Sequence, residues 1–349
     1  MRRLIRRVFI CTIGLFAAPQ FAAAQTYIDV EYPGNELCYV LGANSGIVVG
    51  IYYGSGVGGD AIHGFSRSRL GVYESIDVPA AQYGTYAIGI DDQQDIAGYY
   101  YDANYVSHGF VRSHDGTYTL IDYPGASSIY GTTIVSISED GTILGYYTDN
   151  AREDHAFRRS PDGHMALIHI PGSVSTWTES ANKQGSIVGY FQEPNVGSQY
   201  GAVHGFLMAP HGSYVQFDAP SGEAIGPGFS PTVMNNEGSL VSTYTDGENH
   251  SHGLLRSRDG KFTTVDYPGS NYSELLGIDD QGTIAGAYVD SSGNNHGFLR
   301  YQNGSVVSFD FPGATAVGTT VRAASPQGEV VGSWTDANGV DHGFARLPD

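Results

Sequence analysis

One tripeptide recurs along this chain at a nearly constant interval, and that regularity limits the fold before composition is considered. His-Gly-Phe or a near variant stands at His63-Gly64-Phe65, His108-Gly109-Phe110, His155-Ala156-Phe157, His204-Gly205-Phe206, His252-Gly253-Leu254, His296-Gly297-Phe298 and His342-Gly343-Phe344. Successive copies lie 45, 47, 49, 48, 44 and 46 residues apart. A second marker, Asp-x-Pro-Gly or a relative, recurs at Asp77, Asp122, His169, Asp218, Asp266 and Asp310. Its seventh copy comes first in the chain, as Tyr32-Pro33-Gly34 after Tyr27-Ile28-Asp29-Val30. A fixed period of this size indicates stacked supersecondary units, each too small to bury its apolar face alone.

Each period predicts four short strands, A to D. In the third unit they are expected near Thr132–Ile137, Thr142–Tyr147, His155–Arg159 and Met165–Ile170, joined by the turn signals Glu139-Asp140-Gly141 and Pro161-Asp162-Gly163. Proline after strand D ends pairing, because it has no N–H to give a ladder. Four strands per unit predict the blades of an all-β, seven-bladed β-propeller. The chain enters on a D-type strand, Tyr27–Val30, and leaves on a C-type strand, 343–347. The last blade is therefore complete only if the N-terminal strand closes it.

Gly277-Ile278-Asp279-Asp280-Gln281-Gly282-Thr283-Ile284-Ala285-Gly286 followed by His296-Gly297-Phe298 resembles the extracellular HAF-repeat proteins of bacteria. The resemblance runs over nearly the whole chain after its first 25 residues. His155-Ala156-Phe157 alone carries the namesake tripeptide, and the Asp-Tyr-Pro-Gly segment departs from the Leu- and Gly-rich segment of that family, which makes this a divergent, HGF/DYPG-type relative. It implies an extracellular setting and a repeat fold, and no common activity.

Residues 1–25 read as a signal peptide: Arg2, Arg3, Arg6 and Arg7, an apolar run from Val8 to Ala18, and the small-residue site Ala22-Ala23-Ala24-Gln25. The run is shorter than the roughly 20 residues that span a bilayer. A single propeller domain over 26–349 and a periplasmic or extracellular location are expected, with no membrane insertion and a monomeric state. Of the 17 Lys plus Arg, four leave with the signal, so 13 face 36 Asp plus Glu, a net charge of −23. That excludes the basic footprint nucleic acid requires. Cys38 is the only cysteine beyond the signal, so no intrachain disulfide is available.

A residue present in every blade serves what all blades share. Strand B ends in Tyr52, Tyr100, Tyr147, Phe191, Tyr244, Tyr288 and Trp334, expected to pack between neighbouring sheets. Five Asp–His pairs recur across the B–C loop: Asp102–His108, Asp149–His155, Asp246–His252, Asp290–His296 and Asp336–His342. They are expected to be structural hydrogen bonds, since one carboxylate and one imidazole per blade supply too few ligands for a tight cation site. No metal site and no cofactor is expected. The acidic turns Asp91-Asp92, Glu139-Asp140 and Asp279-Asp280 read as hairpin turns and lack the ligand spacing of calcium loops.

Function is expected where the repeat breaks. In the fourth unit the long B–C loop carries Glu193 and Tyr200, and strand A carries Trp177 and Glu179. Counting back from the A–B turn aligns Glu179 with Val40, Ile88, Val135, Thr232, Leu276 and Arg322, and Trp177 with Glu274. The candidates are thus Glu179, Arg322 and Glu193 for catalysis and Trp177, Tyr200 and Glu274 for binding. The expected function is an exported binding module for a protein or a glycan. The alternative is a carbohydrate-active enzyme, a polysaccharide lyase or glycosidase, with Glu179 or Glu193 as acid or base and Arg322 as a carboxylate clamp.

Overall fold

The computed structural model describes residues 26–34, 37–56, 59–196, 201–219, 232–315 and 318–348. Residues 1–25, read above as a signal peptide, and Tyr200 lie outside these residues. Among the described residues twenty-eight strands, from β1 (Tyr27–Val30) to β28 (Asp341–Arg346), form seven four-stranded antiparallel sheets. Blades 1 to 6 occupy residues 38–76, 85–121, 132–167, 175–217, 233–265 and 273–309. Blade 7 consists of three strands within 319–346, and its fourth strand is β1. Strand A of each blade touches strand A of the next around the full circuit, the seventh meeting the first. The protein is a seven-bladed β-propeller.

Period-two alternation separates the faces of each strand. The Phe of every His-Gly-Phe is fully buried, as is its substitute Leu254. On strand B the repeated glycine is a steric requirement: a Cβ at Gly98 would stand 1.8 Å from the Tyr86 carbonyl oxygen, and at Gly189 2.0 Å from that of Trp177. Opposite this glycine strand A carries a β-bulge, seen as the register shift between Thr178 and Ser180 in blade 4 and between Ala87 and Gly89 in blade 2. A bulge re-aims one side chain, and here the residues so placed, Leu41, Ile88, Val135, Glu179, Leu276 and Arg322, all line the central channel.

Blade 1 corrects the alignment drawn from sequence. Its channel residue is Leu41; Val40 is fully buried and faces Gly50 across the ladder. The miscount arises because Asn44 pairs directly with Ile47 around a two-residue turn, Ser45 and Gly46, both at positive φ (54° and 80°). Leu41 therefore stands five residues before Gly46, where Val135 stands six before Gly141.

Closure joins the chain ends by four residue pairs, Tyr27 to Arg346 through Val30 to Gly343. Tyr27 meets Phe311 edge-on at 5.7 Å, Trp334 Nε1 donates to Asp29 Oδ1 at 3.2 Å, and Val30 is fully buried. Val30→Asp is expected to destabilise the protein by about 3 kcal/mol or more, because it buries an unpaired charge at the seam. Leu70→Asp, at a side chain 92% exposed, should change little. Urea unfolding of both variants checks this; equal midpoints would contradict closure.

Candidate functional site

The repeated residues form an interblade clamp. The C-strand imidazole packs against the B-strand aromatic of its own blade, at 5.0 Å for Tyr52–His63 and 4.5 Å for Trp334–His342. The other face of that aromatic takes a residue from the preceding blade: Tyr32 on Tyr52 at 3.8 Å, Tyr123 on Tyr147 at 4.6 Å, Tyr267 on Tyr288 at 3.6 Å and Phe311 on Trp334 at 4.6 Å. All five expected Asp–His pairs form, with histidine Nε2 3.2 to 3.7 Å from the loop acid.

A second acid went unnoticed in the sequence. In blades 1, 2, 4, 5 and 6 histidine Nδ1 lies 2.5 to 2.9 Å from the Asp that begins Asp-x-Pro, and in blade 7 His342 lies 2.9 Å from Glu31. Its signal in the sequence is the fixed 14-residue spacing from the histidine of one marker to the Asp of the other. Backbone N–H groups of the loop hold Asp102, Asp149 and Asp336 below the usual carboxylate range, and that of His250 is the main cause for Asp246, at about 2. Burial opposes the charged form of His252, but Asp266 and Asp246 outweigh it and raise that imidazole above its ordinary value. Glu193 takes the loop-acid role in blade 4, 3.5 Å from His204 Nε2, so it belongs to this clamp.

The two mouths of the channel differ. At the A–B turns one residue from each blade joins a polar network centred on the buried Glu139. Asn236 Nδ2 donates to Glu139 Oε2 at 2.6 Å, Lys183 Nζ lies 3.2 Å from it, and Gln327 Nε2 donates to Oε1. Lys183 also reaches Asp92 at 3.2 Å, Asn44 Nδ2 donates to Asp92 at 3.1 Å, and Asn236 donates to Asp280 at 2.9 Å. Asp91, Asp140 and Asp279 cap their own turns, as the sequence suggests. The other three acids link turns of all seven blades across this mouth. Between it and the bulge residues lies a cavity of about 250 Å³.

Two residues along strand A from the bulge, roughly 6.6 Å farther from that network, stand Tyr39, Tyr86 and Trp177. The facing strand B presents Tyr53, Tyr99, Tyr101 and Tyr146, all partly exposed. Tyr86 stacks on Tyr99 at 4.7 Å, Tyr99 meets Tyr101 edge-on at 5.7 Å, and Tyr39 meets Tyr53 at 6.2 Å. This arc runs over blades 1 to 4, with the channel charges at its ends. The Arg322 guanidinium sits 5.7 Å over Tyr39, and the Glu179 carboxylate, reaching Tyr146 and Tyr190, adds to the burial that raises both phenols, Tyr190 to about 12. Glu179 and Arg322 thus share the channel without forming an ion pair with each other among the described contacts. Trp177 Nε1 donates to Asp154 Oδ2 at 2.8 Å, while Glu274 accepts from the Tyr272 hydroxyl in blade 6. Outside the arc on blade 2, exposed Tyr83 and Tyr105 stack at 3.7 Å.

Sequence reasoning missed this arc, although adjacent tyrosines announced it. Tyr52-Tyr53, Tyr99-Tyr100-Tyr101 and Tyr146-Tyr147 put rings on both faces of strand B. One face feeds the clamp and the other the arc. At the position of Tyr99, Tyr146 and Tyr190, blades 5 to 7 carry Thr243, Ala287 and Ser333. Cys38 offers no nucleophile: it is buried, and burial pushes its thiol up to about 12.

No family model matches this chain, and no curated protein matches it. Among solved structures, streptogramin B lyase is similar over 92% of this chain and 97% of that one, with 13% identity and a TM-score of 0.55. The β-propeller domain of the trilobed protease from Pyrococcus furiosus, which has an open velcro topology, is similar over 90% and 95%, with 10% identity and a TM-score of 0.62. At such identity the likeness is one of fold, and the paired β1 and β28 distinguish this ring from an open one.

Burial in the channel holds the Glu179 carboxyl up at about 7. Between its ordinary value of 4.5 and 7 the folded chain binds this proton more tightly than the unfolded chain does, so its contribution to stability falls as pH rises through that window. Glu179→Gln should stabilise the protein by about 1–3 kcal/mol at pH 8 and hardly at all at pH 4.5. Urea unfolding at the two pH values measures this; the same effect at both would show that Glu179 is not held protonated.

Proposed function

We propose that this chain is an exported glycan-binding propeller whose ligand rests on the tyrosine arc of blades 1 to 4. The observation that carries this reading is the broken symmetry of strand B: at one position blades 2 to 4 carry Tyr99, Tyr146 and the buried Tyr190, blade 1 carries Ile51, and blades 5 to 7 carry Thr243, Ala287 and Ser333. Aromatic faces with a polar tip suit a ligand that has both C–H faces and hydroxyl groups. Asp154, Asp341 and Glu179 border the arc and supply acceptors, with Tyr39 donating to Asp341 at 3.4 Å. The acid excess favours neutral or cationic sugars over uronates. The network around Glu139 crosses the opposite mouth, which leaves the arc side for entry. Export rests on residues 1–25 and on the resemblance to HAF-repeat proteins.

A glycan array probed with the purified chain, followed by calorimetry on the best binder, tests the proposal. Tyr86→Ala and Tyr101→Ala should each weaken binding about tenfold, the equivalent of about 1.4 kcal/mol. Affinity unchanged in both variants would discard the arc as the site. The enzymatic reading is favoured by one observation, the raised Glu179 carboxyl in the channel. It requires release of cleaved sugar from the same binder and its loss in Glu179→Gln.

A further inference from the structure

We propose that the B–C loop of blade 5 is a binding site for a divalent transition-metal ion of the zinc type, held by Asp246, His250 and His252. The ligand count made from sequence assumed one carboxylate and one imidazole per blade. Blade 5 breaks that count: four residues after the loop acid, where blades 2 and 7 have Val106 and Val340, it has His250. The three side chains converge, with one ligand atom from each lying within 4.8 Å of the others.

The geometry fits an ion. His252 Nε2 is 3.2 Å and His250 Nδ1 3.4 Å from Asp246 Oδ2. Ligand atoms placed about 2.1 Å from a shared tetrahedral or octahedral ion are separated by about 3.0–3.4 Å. The two oxygens of Asp246 are also divided in function. Oδ1 accepts the backbone N–H groups of Glu248 at 2.8 Å and His250 at 2.9 Å, while Oδ2 is turned to the imidazoles. His252 is oriented from behind: Asp266 Oδ2 lies 2.9 Å from its Nδ1, and Asp266 Oδ1 accepts the Gly253 N–H at 3.2 Å. With Nδ1 bound to a carboxylate, the Nε2 lone pair is free for the metal, the usual arrangement behind a metal-binding histidine. Tyr244 packs on the His252 ring at 5.2 Å and fixes its plane.

Two imidazoles and one carboxylate select a first-row transition ion over calcium or magnesium, which prefer all-oxygen shells. Three protein ligands leave a position open to solvent or to an incoming donor. Blade 3 holds a similar cluster, Asp149, Glu153 and His155, but with one imidazole, and after its strand D it has His169 where blade 5 has Asp266.

The test is titration of the chelator-stripped chain with cobalt(II) chloride, read by visible absorption, and with zinc chloride, read by calorimetry. One equivalent should bind with micromolar or tighter affinity, while calcium chloride gives no heat. His250→Val restores the residue of blades 2 and 7, so the fold is kept, and it should weaken binding at least tenfold and abolish the cobalt spectrum. Asp266→Asn should weaken binding about 10–100-fold. His155→Gln, in blade 3, should leave it unchanged. No cobalt or zinc binding by the parent, or His250→Val binding like the parent, would overturn the assignment.

Discussion

Four pairs of residues between β1 and β28 decide whether this molecule has a channel at all. Without them blade 7 is three strands wide, and its outer edge exposes the unpaired backbone of strand C. With them the first and last blades are cross-linked by the ladder, and the clamp of blade 7 is completed from the other end of the chain. Glu31 follows β1 and reaches His342, Asp29 reaches Trp334, and Tyr32 crosses to Tyr52 of blade 1. The seam thus repeats the contacts made at the other interblade junctions. The polar network at the A–B turns depends on the same closure, since Gln327 of blade 7 and Asn44 of blade 1 must both reach acids of blades 2 and 3.

The repeat and its exceptions carry different parts of the architecture. Each imidazole stacks on an aromatic ring and, in most blades, has a carboxylate at both nitrogens. Where those contacts are hydrogen bonds on both sides, as at His252 and His296, they satisfy polar groups at the strand ends. Because the demand is the same at every junction, the residues recur. Positions free of that demand vary: the bulge residue, the outward face of strand B and the fourth loop residue. They are where Glu179 and Arg322, the tyrosines and His250 appear.

How far the sequence could be read follows from this division. The number of blades, strand order, circular closure and aromatic packing were legible because each is written seven times. The common level of Glu179 and Arg322 on strand A was also legible, because counting from a turn works where turns match. It failed at Val40, where Ser45-Gly46 shortens the turn by one residue. The His-to-Asp contact over 14 residues was hidden because strands C and D come together only once the sheet is formed. The network on Glu139 was not legible at all, since its bonds span up to 188 residues and depend on how far each turn leans over the axis.

Glu179 and Arg322 show what the ring geometry does to opposite charges. Side by side they would neutralise each other, but here each is held by its own end of the tyrosine arc. Arg322 is drawn over the face of Tyr39, and burial raises the Glu179 carboxyl to about 7, so that it gains and loses its proton near neutral pH. The channel therefore offers a ligand a fixed cation, a switchable carboxyl and a wall of neutral phenols between them. Its floor is a crosslinked polar network. Such a surface offers aromatic faces and hydrogen-bonding groups together, which is the physical ground for the proposal that its ligand is a sugar.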